Sequence, residues 1–86
     1  MYAQPAPATI AHEVMRIIAR NKHVPAARLR PRTRLEEELH CDPVDVVDII
    51  LAVEKRFHVI IPDEVPLITV GDFVAYVAAH QPALAA

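Results

Sequence analysis

Apolar residues recur along the chain at helical spacing, and the runs are separated by proline. Ile10, Val14, Ile17 and Ile18 fall at i, i+4, i+7 and i+8, which lines one face of a helix. Thr9 precedes that stripe as a candidate N-cap and Pro25 marks the exit, so a first helix is predicted between them. From Val24 to Arg34 the period breaks, and Pro25, Pro31 and the alternating arginines predict a long ordered loop. Loops of this length are uncommon in compact domains and often carry function. A second helix is predicted from Asp42 to about Phe57. Asp42 can accept hydrogen bonds from the free amides of the first turn, and Pro43 falls at the first helical position, where its missing N–H does no harm.

Within that second helix Val46, Ile49, Ile50, Val53 and Phe57 form a core stripe. Val44, Val47 and Leu51 make a second apolar strip beside it, flanked by Asp45 and Asp48. The run Val59-Ile60-Ile61, bounded by Pro62 and without a partner strand in the sequence, reads as a loop plugging the core. Asp63 to Leu67 is expected to make one short helical turn, limited by Pro66. The last helix starts at Thr69, with Asp72 three residues on as a variant of the capping box, and Val70, Phe73, Val74 and Val77 supply its stripe. Residues 1–8 and 81–86 are expected to fray around a domain at 9–80, and no internal repeat is apparent.

Length sets the scale: 86 residues make one small domain. Hydrophobic residues are 53% and charged residues 23%, which places the chain among globular domains. A single glycine against eight prolines disfavours Gly-turned hairpins and a Gly-rich phosphate loop. The longest apolar run, Phe73 to Ala79, is too short to span a membrane, and residues 1–7 do not resemble a signal peptide. One cysteine, Cys41, fits a reducing compartment, so a cytoplasmic, monomeric domain is expected. The net charge of −2 hides an asymmetry. Residues 1–34 hold seven cationic side chains and one acid, and residues 35–86 hold two cations and ten acids. The two halves are expected to neutralise one another on folding.

The candidate chemistry is mostly negative. The sequence has no serine, which excludes a serine nucleophile and any modification that needs a serine hydroxyl. Cys41 lies between His40 and Asp42, but sequence neighbours rarely supply nucleophile–base geometry, and packing is the expected role. His12, His23, His40, His58 and His80 lack metal-ligand spacing, so neither a catalytic nor a metal site is expected. Glu36-Glu37-Glu38 could hold a divalent cation but reads as a solvated face. Arg28, Arg30, Arg32 and Arg34 could contact phosphates, which leaves a phosphate- or nucleic-acid-binding adaptor as one alternative. Without interleaved aromatics or a reading module that alternative is disfavoured.

One stretch resembles a known family. Leu39-His40-Cys41-Asp42-Pro43-Val44-Asp45-Val46-Val47-Asp48 is similar to the Leu-Gly-x-Asp-Ser-Leu-Asp-x-Val-Glu signature of acyl carrier proteins. Leu51 to Phe57 continues like the end of that family's helix II, and Ile61-Pro62-Asp63-Glu64 matches its Ile-Pro-Asp-Glu. The likeness covers about residues 9–78. It implies an all-α four-helix bundle of acyl-carrier-protein type, with a long first loop and a short third helix. It also implies partners, namely the synthases, reductases and modifying transferase of fatty acid, polyketide or related pathways. Asp42, Val44, Asp45, Val47, Asp48, Leu51 and Glu54 match the face such partners recognise.

The departures are specific. Family members attach 4′-phosphopantetheine to the serine of Asp-Ser-Leu, and here that position is Pro43, so no cofactor is expected. His23 and His40 stand where glycines are usual, Lys22 takes a normally apolar place, and Lys55 a normally acidic one. The chain is therefore expected to be a non-catalytic docking module of the acyl-carrier type. A carrier loaded at an unconventional residue is the other alternative.

Overall fold

The computed structural model describes residues 7–80, so the expectations for 1–6 and 81–86 lie outside the described residues. Four α-helices carry the fold: α1 (Pro7–Lys22), α2 (Leu35–Leu39), α3 (Pro43–Phe57) and α4 (Val70–Ala79). A 3₁₀ turn at Ala26–Arg28 interrupts the first loop. No strand forms among the described residues beyond one isolated bridge between Arg34 and Thr69. The architecture is the expected all-α bundle. α1 packs against both α3 and α4, with Val14, Ile18, Ile49, Val53, Val70, Phe73 and Val77 completely enclosed.

Three local expectations need correction. Helix α1 begins at Pro7, so Thr9 lies inside it and does not cap it. Proline is well tolerated in a first helical turn, and alanine at position 8 favours its continuation. The short helix expected at Asp63–Leu67 is a hydrogen-bonded turn, Val65 N donating to the Pro62 carbonyl at 3.2 Å. Pro66 cannot donate to a helical ladder and disfavours helical φ/ψ at Val65 before it. The short helix of the bundle is instead α2, in the segment whose sequence shows a run of three glutamates. Its Leu35 and Leu39, four residues apart, turn toward the core, leaving Glu36, Glu37 and Glu38 to solvent.

Helix ends account for much of the local geometry. Asp42 and Asp45 form a reciprocal capping box at the start of α3, and Thr69 and Asp72 form another at α4. His23, His40 and His58 end α1, α2 and α3 with φ of 58°, 56° and 56°. In this left-handed region a side chain normally costs about 1–2 kcal/mol, which is why glycine usually stops helices. Behind His23, Val24 N closes the helix end onto the Ala19 carbonyl at 3.0 Å.

The long first loop is fastened to the start of α4. Leu35 N donates to the Ile68 carbonyl (2.9 Å), Val70 N to Thr33 (3.0 Å) and Gly71 N to Pro31 (2.6 Å). The approach at Gly71 requires glycine, because a Cβ there would stand 2.8 Å from the Pro31 carbonyl oxygen. The segment after α3 plugs the core as expected: Val59 and Ile61 are buried while Ile60 points outward. Glu54 accepts from Ile61 N at 2.8 Å, and the Tyr76 hydroxyl donates to the Ile60 carbonyl at 2.6 Å.

Candidate functional site

The start of α3 concentrates the candidate residues, and the structure sorts them by what they touch. Asp42 Oδ1 accepts from Asp45 N at 2.8 Å, and Asp45 Oδ2 accepts from Asp42 N at 3.2 Å. The same Asp45 oxygen takes a 2.8 Å ion pair from Lys22 Nζ at the end of α1. Lys22 also donates to the His40 carbonyl at 3.4 Å, so one ammonium ties α1, the α2 terminus and the α3 cap together. A cation at this position thus finds its counter-charge 23 residues away, beyond the reach of any local pattern.

The Lys22 ammonium, followed by the hydrogen bond within the cap, holds the Asp45 carboxyl below its ordinary value, and Asp45 in turn raises Lys22. A depressed carboxylate stabilises the fold fully above the ordinary aspartate value of 3.8, and that contribution is lost as pH falls through the depressed folded value. Urea midpoints measured against pH should therefore drop on the acid side more steeply in the parent than in Asp45→Asn. Parallel curves for the two proteins would mean that the pair contributes nothing to folding.

Val44, Val47 and Leu51 line one side of α3 and are 66%, 51% and 58% exposed. These are large apolar fractions left in water, at i, i+3 and i+7. Asp42 and Asp48 are exposed beside them. Asp45 is half-buried in its ion pair, and Glu54 is half-buried on the Ile61 amide, so these two acids also have internal partners. Pro43 is exposed at the first position of α3 and has no hydroxyl. An adjoining cleft of about 360 Å³ is lined by Leu35, Cys41, Pro43, Val46, Leu67 and Ile68, with charged residues at its rim.

The other sequence candidates resolve differently. Thr33 is buried and its hydroxyl accepts from Arg30 N at 2.8 Å, while the Thr69 hydroxyl accepts from Asp72 N at 3.1 Å. Cys41 is buried, and burial pushes its thiol above the ordinary value, so the nucleophilic thiolate is disfavoured. The three glutamates do not converge: Glu37 pairs with Arg34 at 2.8 Å and Glu38 accepts from Arg34 N at 2.8 Å. No cluster suited to a metal ion occurs among the described residues. Of the four loop arginines, Arg30 donates to the Ala27 and Leu29 carbonyls and Arg34 pairs with Glu37, leaving Arg28 and Arg32 without such ties. Lys22–Asp45, Arg34–Glu37 and Arg56–Glu13 each join the basic and acidic halves of the chain.

Comparison with known proteins decides the relationship. The chain is 36% identical to the acyl carrier protein of Helicobacter pylori strain J99 over 67 residues, covering 76% of this chain and 86% of that protein. It is 36% identical to the acyl carrier protein of Helicobacter hepaticus over 70 residues, covering 79% and 92%. The chain belongs to the acyl carrier protein family. No family model matches it. As a family member it joins the bundle to an exposed α3 face, and no helix among its described residues is long and apolar enough to cross a membrane.

Proposed function

We propose that this family member is a docking module: a non-catalytic domain of a lipid, polyketide or related pathway that binds acyl-carrier-dependent enzymes through α3 and carries no prosthetic group. The observation that carries the reading is the exposed Val44–Val47–Leu51 strip on a helix whose first residue is Pro43. A contiguous apolar strip on so small a surface favours coverage by a partner. Asp42 and Asp48 supply negative charge beside it and suit a basic rim on that partner. Asp45 and Glu54 support the face while also holding the cap and the Ile61 segment.

The residues at the attachment position do not fit phosphopantetheine. Proline offers no oxygen to esterify, and Thr33 and Thr69 already use their hydroxyls within the fold. Lys55 and Arg56 replace acidic character at the end of α3. Arg56, though exposed, turns to Glu13 at 3.3 Å, leaving Lys55 as the exposed charge without an ion pair, which alters which partner is accepted.

The test is titration of the isotope-labelled chain with an acyl-carrier-dependent synthase. Signals from Val44, Val47 and Leu51 are expected to shift, and Leu51→Asp should weaken binding by roughly tenfold or more. Because Leu51 is exposed, its thermal midpoint should stay close to the parent's. Unchanged affinity would remove the strip from the interface, and an unfolded variant would return Leu51 to the core.

A further inference from the structure

A second cleft lies on another side of the molecule, between α1 and α3, with a volume of about 420 Å³. That is within the roughly 300–1,000 Å³ typical of small-molecule sites. Its apolar wall is Ile17, Ile49 and Ala52, and its cations are Arg16, Arg20 and Arg56. Glu13 pairs with two of them, 4.0 Å from Arg16 and 3.3 Å from Arg56, and Asp48 is the second carboxylate of the lining. Arg20 has no hydrogen-bond or ion-pair partner among the described residues, and it stands one turn from Arg16, a like-charge spacing that is unfavourable on a bare helix. Asn21 lines the same cleft, but its unpartnered Oδ1 is buried beneath the surface and is not presented to a ligand. Asp48 is exposed at the cleft and can accept from one.

We propose that this cleft binds a small phosphomonoester bearing a hydroxyl or ammonium donor. Three guanidinium groups against the two carboxylates of the lining, Glu13 and Asp48, leave one net positive charge, which a phosphate dianion carrying one cationic or hydroxyl donor matches, and guanidinium forks fit the phosphate oxygens in pairs. The donor answers Asp48, which a bare anion would leave unmatched. The ligand's carbon skeleton packs on Ile17 and Ala52. The cleft meets the docking face at Asp48 but uses none of Val44, Val47 and Leu51, so the proposal does not rest on that reading.

Titrating the full chain with glycerol 3-phosphate, phosphoethanolamine and inorganic phosphate, followed by amide and arginine side-chain NMR, tests it. At least one organic phosphate should saturate with a Kd at or below about 1 mM. It should bind about tenfold tighter than inorganic phosphate, and its shifts should centre on Arg16, Arg20, Asn21 and Arg56. Arg20→Gln and Arg56→Gln should each weaken binding about tenfold, as expected for a lost charge-assisted bond. Arg32→Gln, in the distant loop, should leave it unchanged. Arg20 has no internal partner, so Arg20→Gln carries the test even if Arg56→Gln perturbs Glu13. Equal affinity for inorganic phosphate, equal weakening by Arg32→Gln, or no saturation would overturn the proposal. Binding to phosphatidic-acid vesicles without binding of either soluble ester would also overturn it, by assigning the patch to a membrane surface.

Discussion

Incubated with coenzyme A and a permissive phosphopantetheinyl transferase, the parent chain is expected to keep its unmodified mass, and Pro43→Ser to gain one phosphopantetheine slowly. The scaffold for the change is in place. The α3 cap is made by Asp42 and Asp45 and does not involve the side chain at position 43. Serine is tolerated in a first helical turn, and giving up proline's restriction of the unfolded chain costs only about 0.4–1 kcal/mol. Position 43 is exposed, so an enzyme can reach a hydroxyl placed there. Modification should be slow because Val44 and His40 stand where family members have leucine and glycine, and Lys55 reverses a charge on α3. A mass gain in the parent would sink the docking reading and promote a carrier loaded at an unconventional residue. A folded serine variant that stays unmodified would mean that the surface around position 43 has diverged as well.

That experiment asks whether chemistry alone left the fold, and the helix ends suggest how it could. Asp followed by Pro is a favourable helix start in its own right, since proline has the right φ and gives up an N–H that no helical carbonyl would accept. Proline at position 43 offers no nucleophile, yet it opens an intact α3. Lys22 shows the same pattern. A charge at a normally apolar place would be costly if left alone, but Asp45 meets it at 2.8 Å and the pair braces α1 against α3.

Legibility in the sequence followed the range of the interaction. α3 could be read nearly to the residue because Asp42, Pro43 and five core positions carry the signal within one helix, and α4 likewise through Thr69 and Asp72. The core-plugging role of Val59 and Ile61 was readable from the prolines and the lack of a partner strand. α2 was missed although Leu35 and Leu39 are spaced for one helical face, because three consecutive glutamates obscured the short period. The short helical turn expected at Asp63–Leu67 is only a hydrogen-bonded turn, because Pro66 disfavours helix at Val65 and donates no N–H.

The candidate site divides the same way. Exposure of Val44, Val47 and Leu51 followed from the two strips on α3, since only one strip can face the core. The ties of Asp45 to Lys22 and of Glu54 to Ile61 could not be read, because they depend on how segments meet in space. The α1–α3 cleft was equally hidden. Arg16 and Arg20 are visible as a pair on one helix, but Arg56 joins them only when α3 packs alongside.

Phe73→Ala is expected to be the most destabilising single truncation in the described core. The ring is completely enclosed at the start of α4, the helix whose first turn also anchors the first loop through Val70 and Gly71. Deleting a buried phenylalanine ring removes its transfer free energy and leaves a cavity, together about 3–5 kcal/mol. A domain of this size holds only about 4–13 kcal/mol at the usual per-residue stability, so the variant should lose a large share of it. At about 4–8 °C per kcal/mol, the midpoint should fall by roughly 12–40 °C. Phe57→Ala should lose less, because its ring closes the last turn of α3, where Arg56 lies 5.5 Å over it and water can enter the space vacated. Leu51→Asp should stay within about 0.5 kcal/mol of the parent. Thermal and urea unfolding of the three variants therefore has a required order. If Phe57→Ala proved more damaging than Phe73→Ala, the centre of the bundle would lie toward the end of α3 and not where α1, α3 and α4 meet.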